Sequence, residues 1–254
     1  MPFTVSHTVL APPIAKLTGY RLPIAGLAIG TMTPDLYRLF TTVDYDFTHQ
    51  WQSLIFPNLF ISLSFCLLWY GLYRSVIFRF IGLEKPLNLV SLSKVIGFLL
   101  SLIFASIIGI VTHLIWDGLT HSDFRTFAFE HFLNSPVKLF EYTYPMHRIL
   151  QIGSSILALP FLGWMSVHYY FKYKQNKPIH SKIKIYAALL LFLTLLSGGI
   201  SYIHFVQLAQ SNPMVTDLYW YIGKSINQFA QAALITFSLG CILFLFLDRK
   251  HQFD

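Results

Sequence analysis

One run in the chain repeats ionisable residues at a helical interval: "HLIWDGLTH", His113 to His121. His113, Asp117 and His121 are spaced four and four. At about 100° per residue, each step of four turns the position by only about 40°, so a helix sets all three on one face. Imidazole nitrogen and carboxylate oxygen are ligands for zinc, and also for manganese or iron. His7, Asp35, His49 and His147 are of the same types and stand elsewhere in the chain. Both cysteines, Cys66 and Cys241, lie in apolar runs. They read as packing residues, so the set points away from a cysteine-bound structural zinc and toward an open, water-bearing site. Each residue also has a plain structural reading. Asp35 could cap a short helix, His7 could sit at a surface, His49 and His147 could be interfacial, and His121 could end its helix. His113 resists such a reading, because an ionisable group inside an apolar span is costly and marks function by default. His131, His204, Glu130 and Glu141 are weaker candidates with no spacing to support them.

The elements that must carry these residues are membrane helices. Of 254 residues, 55% are hydrophobic and only 11% charged, against about 25% charged in soluble domains. Five stretches, at 54–72, 95–116, 148–171, 184–207 and 225–247, have the roughly 20 apolar residues that a hydrocarbon core requires. The expected fold is therefore all-α: a polytopic membrane protein with five transmembrane helices, plus a short interfacial or re-entrant helix at 22–32. It reads as a single membrane domain, with an outer-face segment at 1–53, a five-span bundle at 54–247, an outer loop at 117–147 and a cytoplasmic tail at 248–254. The net charge is +7. Arg74, Arg79, Lys85 and Lys94 fill one interspan loop, and Lys172, Lys174, Lys177, Lys182 and Lys184 fill another. Basic loops stay cytoplasmic, which puts the N-terminus outside and the C-terminus inside the bacterial inner membrane. Scattered over separate loops, these residues suit anionic lipid headgroups and exclude a nucleic-acid partner. His7, Asp35, His49, the 113–121 group and His147 then share the outer side. Trp51, Trp116, Tyr142, Tyr144 and Trp220 fall near outer span ends, where an aromatic belt belongs. No cleavable signal peptide is expected, and no nucleophile elbow, P-loop or dinucleotide fingerprint is present.

"MPFTVSHTVLAPPI", "GTMTPD", "THQWQS", "THLIWDGLTH" and "MHRILQIGSS" together resemble a bacterial multi-pass membrane family, domain of unknown function 4184, over essentially the whole chain. That family is similar in turn to predicted membrane-bound metal-dependent hydrolases and, more remotely, to the zinc phospholipase C and P1 nuclease group. The resemblance implies a phosphoesterase site in a helical frame. His7, Asp35, His49, His113, Asp117 and His121 would ligate divalent metal, zinc first, with manganese or iron as alternatives. Tyr37 stands where those hydrolases often carry a second aspartate, and a Met-Pro start offers no evident N-terminal ligand, so one or two ions are expected rather than three. A bound ion would acidify water and withdraw charge from a phosphoryl oxygen. Asp117 or Asp35 would orient the water, and His147 and Arg148 would hold the substrate, arginine being suited to bidentate phosphate contact. Membrane lipids are the natural partners, and a phospholipid or lipid-linked phosphoester the natural substrate. Two rival readings use the same cluster: a transporter or ion and proton pathway, and a non-catalytic scaffold with a structural metal.

Overall fold

Among the described residues, five helical runs are long and apolar enough to cross a membrane: Trp51–Ile81, Leu92–Thr120, Met146–Tyr173, Ser181–Leu208 and Gly223–Arg249. They match the five expected spans and overrun them at both ends. The computed structural model describes residues 4–41, 45–210, 218–250 and 252–253. The side chains at 45, 209–210, 218–220 and 222 are not among those described, so Trp220 of the expected aromatic belt lies outside the described residues. A 3-10 turn, Thr4–Leu10, opens the chain. The helices follow as α1 (Ala11–Leu17), α2 (Ile24–Leu36), α3 (Tyr45–Thr48), α4 (Phe60–Leu68), α5 (Arg74–Ile81), α6 (Leu92–Thr120), α7 (Glu130–Leu133), α8 (Met146–Tyr173), α9 (Ser181–Gln210) and α10 (Leu218–Arg249). The chain divides into two compact units, Met1–Leu67 with Pro86–Lys172, and Leu68–Lys85 with Tyr173–Asp254.

In the first unit α2 lies along α6 through small residues. Gly26 faces Leu102 and Ala105, and a Cβ at Gly30 would stand 2.5 Å from the Ser106 carbonyl. Such close approach is how helices associate in lipid, where apolar surface alone gives no preference for a partner. Ala11 and Ala15 of the preceding α1 join Leu27 and Ala105 in one buried apolar core. At 13 residues, α2 is about 20 Å long, short of the roughly 30 Å that a span needs. It is the short N-terminal helix expected at 22–32, carried on to Leu36, so Asp35 sits in its last turn rather than at an N-cap.

Two details depart from the expected all-α outline. Helix α6 continues to Thr120, so the loop expected at 117–147 begins at His121 instead. Within that loop β1 (Pro136–Leu139) and β2 (Tyr142–Pro145) pair antiparallel, Val137 opposite Tyr144 and Leu139 opposite Tyr142. The stretch reads as a turn because of its prolines, yet Pro136 and Pro145 stand at the open end of the hairpin, where a missing N–H costs least.

The second unit packs Tyr73, Val76, Ile183, Leu190, Cys241 and Phe244 into an apolar core. Tyr73 and Ser238 share a hydroxyl hydrogen bond of 2.7 Å, and the Tyr186 hydroxyl donates to the Gly240 carbonyl at 2.8 Å. Cys66 and Cys241 are both free and buried, the packing role expected of them.

Candidate metal centre

Asp117 is the hub of a buried cluster in the first unit. Its carboxylate lies 3.4 Å from His113 Nε2, 3.7 Å from His7 Nε2, 3.7 Å from His49 Nε2 and 3.6 Å from His121 Nδ1. Asp35 joins through its oxygen 3.5 Å from His49 Nε2. His7, His113 and Asp117 are each 1% exposed and His49 4%. Four chain segments therefore converge: the Thr4–Leu10 turn, the last turn of α2, the turn after α3, and the C-terminal end of α6.

Neighbouring backbone fixes how the rings point. His113 Nδ1 is 2.7 Å from the Thr31 carbonyl. A carbonyl only accepts, so Nδ1 carries the proton and the Nε2 lone pair faces Asp117. The Thr48 hydroxyl donates to the Pro34 carbonyl at 3.0 Å and lies 3.3 Å from His49 Nδ1. Its one proton is thus spent on Pro34, and His49 Nδ1 donates to the hydroxyl oxygen, which turns the Nε2 edge of the ring on the carboxylates. Asn58 holds this turn in place by donating to the Thr48 carbonyl and the Ser53 hydroxyl, each at 2.8 Å. The His7 ring stacks on His113 at 3.9 Å, and Trp116 meets its edge at 6.1 Å. His7 Nε2 and His113 Nε2 are buried without a hydrogen-bond partner among the described residues.

Two observations favour a cation here. Separations of 3.4–3.7 Å are long for a hydrogen bond, but close to the roughly 3.4 Å between two atoms that each lie about 2.0–2.1 Å from one tetrahedral zinc. The ligand atoms of His7, Asp35 and His113 lie within 4.8 Å of one another, as do those of His49, His113 and Asp117. Electrostatics agree. Burial holds His7 well below the ordinary imidazole range, helped by the nearby His113 ring, and burial lowers His49 as well. Burial opposes ionisation of Asp35, but His49 and the other surrounding imidazoles bring its carboxyl well below the usual range. Neutral imidazoles at His7 and His49 beside an ionised Asp35 are protonation states that suit metal binding.

The remaining expected residues fall differently. His121 caps α6, and its Nδ1 lies 3.1 Å from the Asp117 backbone carbonyl, so that nitrogen is engaged with backbone. Burial lowers its pKa to about 4. His147 sits at the start of α8 with Nδ1 3.2 Å from the Leu133 carbonyl, and Arg148 is exposed. Arg125 is the guanidinium that reaches the cluster, with Nη1 3.4 Å from Asp117. Asp123 anchors it, accepting from its backbone N–H at 3.0 Å and its Nε at 2.9 Å. Spacing along α6 says nothing of Arg125; the signal was the Asp-x-Arg turn just past the helix end. Thr31 and Thr48, which orient two rings, carried no sequence signal at all.

The family model described as domain of unknown function (DUF4184) matches residues 1–246. The chain belongs to this family. No curated protein and no solved structure matches it. The DUF4184 match spans every segment that contributes to the cluster, and the family description assigns no chemistry, so the function rests on the site.

Proposed function

We propose that this DUF4184 protein is a membrane hydrolase that holds one divalent ion, zinc by preference with manganese or iron as alternatives, on His7, Asp35, His49, His113 and Asp117. The observation that carries the reading is the bare Nε2 atoms of His7 and His113, buried and turned on Asp117. One ion is favoured over two because both triads share His113. That ring has one free lone pair, its Nδ1 being committed to Thr31. The bound ion supplies charge stabilisation at a phosphoryl or carbonyl oxygen and acidifies water. Asp35, with 9% of its side chain exposed, is the carboxylate best placed to orient an incoming water. Arg125, 15% exposed, takes the anion-holding role that the sequence suggested for Arg148.

A phospholipid or lipid-linked phosphoester at the outer face of the inner membrane is the substrate class we favour. Beside the cluster, Leu10, Thr112, Ile115, Trp116, Leu119 and Thr120 line an apolar cavity of about 230 Å³. Trp116 lines it and meets the His7 ring, so a hydrocarbon chain there would bring its headgroup close to the ligands. Near-complete burial of the cluster supports a second reading, a structural metal that clips the Thr4–Leu10 turn and α2 onto α6.

Metal content by elemental mass spectrometry, on protein purified without chelators, tests the site. We expect one equivalent of metal in the wild type and none in folded Asp117→Asn. Absence of metal from the wild type after add-back overturns both readings. Phosphate release from phospholipids by the metal-loaded wild type, lost in Arg125→Gln that keeps its metal, supports the hydrolase. An inactive wild type whose melting temperature collapses on metal removal supports the clip.

A further inference from the structure

The loop between α6 and α8 presents aromatic side chains to its surroundings. Phe140 is 96% exposed, Phe129 69%, Tyr142 66%, and Phe124 and Phe132 51% each. Two of them also sit on unfavourable backbone. Phe129 has φ +62° and Phe140 φ +55°, the left-handed region where a bulky residue is an outlier. Phe140 and Glu141 form the two-residue connection between β1 and β2, a position normally given to Asn, Asp or Gly. A phenyl ring placed there opposes hairpin folding and gains no packing in return.

What the hairpin is attached to identifies its surroundings. Its base is tied to the first turn of α8: Met146 N–H donates to the Ser135 carbonyl at 3.0 Å, and His147 Nδ1 to the Leu133 carbonyl at 3.2 Å. Leu133 itself is fully buried. Gln151 then joins α8 to the end of α6 by donating to the Thr120 carbonyl at 3.0 Å. With 28 residues, α8 is about 42 Å long, enough to cover the hydrocarbon core and both headgroup layers. The hairpin base is therefore held at headgroup depth. Its four-residue strands reach about 13 Å, so the tip stays within range of the same layer. Glu141 beside Phe140, and Lys138 on β1, suit that layer, where aromatic rings bury their faces and charges remain wet.

We infer that the β1–β2 hairpin, with the Phe124–Phe132 segment, is a lipid-interface wedge whose Phe140 tip inserts into the headgroup layer of the bilayer that the helices span. The wedge is independent of the metal reading. Its occupant is the lipid surface; a docked protein is the competing outcome.

The test uses the full chain carrying Phe140→Cys, labelled with an environment-sensitive fluorophore and reconstituted in phosphatidylethanolamine–phosphatidylglycerol vesicles. Phe140 packs against nothing, so the exchange spares the fold. The native cysteines are both 0% exposed, so labelling reports the new site, and unmodified protein checks this. Tyr142→Cys serves as a second position, and Lys177→Cys on an exposed loop as the aqueous control, with iodide supplied on both sides of the vesicle membrane. The wedge predicts blue-shifted emission at 140 and 142, loss of iodide quenching, and strong quenching by lipid carrying a doxyl group near the headgroup. Emission and iodide access equal to those at 177 would overturn it. So would a label shielded from iodide yet untouched by doxyl lipid, which would mean protein docking.

Discussion

The orientation of His49 through Thr48 offers the most discriminating test of the centre. Replacing Thr48 by valine keeps the side chain's shape and removes its hydroxyl. Two hydrogen bonds go with it, the donation to the Pro34 carbonyl at 3.0 Å and the acceptance from His49 Nδ1 at 3.3 Å. Thr48 is 0% exposed and His49 4%, so water does not replace the lost partner. Removing the outer partner of a ligating histidine weakens metal binding by about 10- to 100-fold, or about 1.4–2.7 kcal/mol. The 3.3 Å bond is a long one, which puts the expectation near the lower end, about tenfold. Folding stability also falls, by about 1–3 kcal/mol, because buried polar atoms are left unpaired. A control must therefore lose a comparable bond that touches no ligand side chain. Thr33 is equally buried, and its hydroxyl donates to the Ile29 carbonyl at 2.8 Å on its own helix. Titration of purified protein in chelator-buffered zinc, with bound metal counted on the folded fraction, gives both affinities. Thr48→Val should bind about tenfold more weakly while Thr33→Val binds like wild type. A Thr48→Val affinity within about twofold of wild type, under about 0.5 kcal/mol, would refute His49 as a ligand held by this tautomer. Equal losses in the two variants would assign the effect to general destabilisation.

Three further outcomes follow from the same geometry. His113→Ala should lose its metal, whereas His147→Ala and Arg148→Ala should keep it, as elemental analysis of folded protein will report. Burial holds His7 and His49 below the ordinary imidazole range, so both stay neutral above about pH 6.5. Protons compete for them only on further acidification. Metal retention should fall as the solution is acidified, and a retention that rose with acidity would contradict imidazole ligation. Gly30→Val forces the new Cβ toward the Ser106 carbonyl, 2.5 Å away, and should cost at least about 1–3 kcal/mol as overpacking. Gly153→Ala on α8 meets open space, so a melting temperature unchanged in both would refute the tight α2–α6 contact.

The membrane architecture was legible because length and apolarity decide it; all five spans stood out at the 20-residue scale, and only their ends were short. Those ends extend because a helix in lipid keeps its backbone bonded wherever it can, which is why α6 carries Asp117 inside and leaves His121 as its cap. The hairpin was hidden because its strands are only four residues each, too short for the alternation of Val137 and Leu139 with Lys138, and of Tyr142 and Tyr144 with Thr143, to stand out. The His113–Asp117 pair was visible from its spacing on one helix. Its meeting with His7, Asp35 and His49 was not, because that depends on the α2–α6 contact through Gly26 and Gly30, and glycines announce close approach without naming the partner.

Arg125 shows that closeness along the chain and closeness to Asp117 are set by different features. Arg148 adjoins His147 and so looked like part of the same site, but neighbours on a helix point about 100° apart, and His147 itself turns to the Leu133 carbonyl. Arg125 lies eight residues beyond Asp117, past the end of α6, at a distance that a continuing helix would have made about 12 Å. The chain folds back instead. Thr126 donates to the His121 carbonyl at 2.6 Å, Asp123 accepts from the Arg125 backbone, and the guanidinium is swung over Asp117. An aspartate that bonds a backbone N–H two residues on is a recognised turn former, so "SDFRT" carried enough information to break the helix. Deciding which arginine meets the carboxylate needed that break, because only a reversed chain returns a positive charge to the end of the helix it has just left.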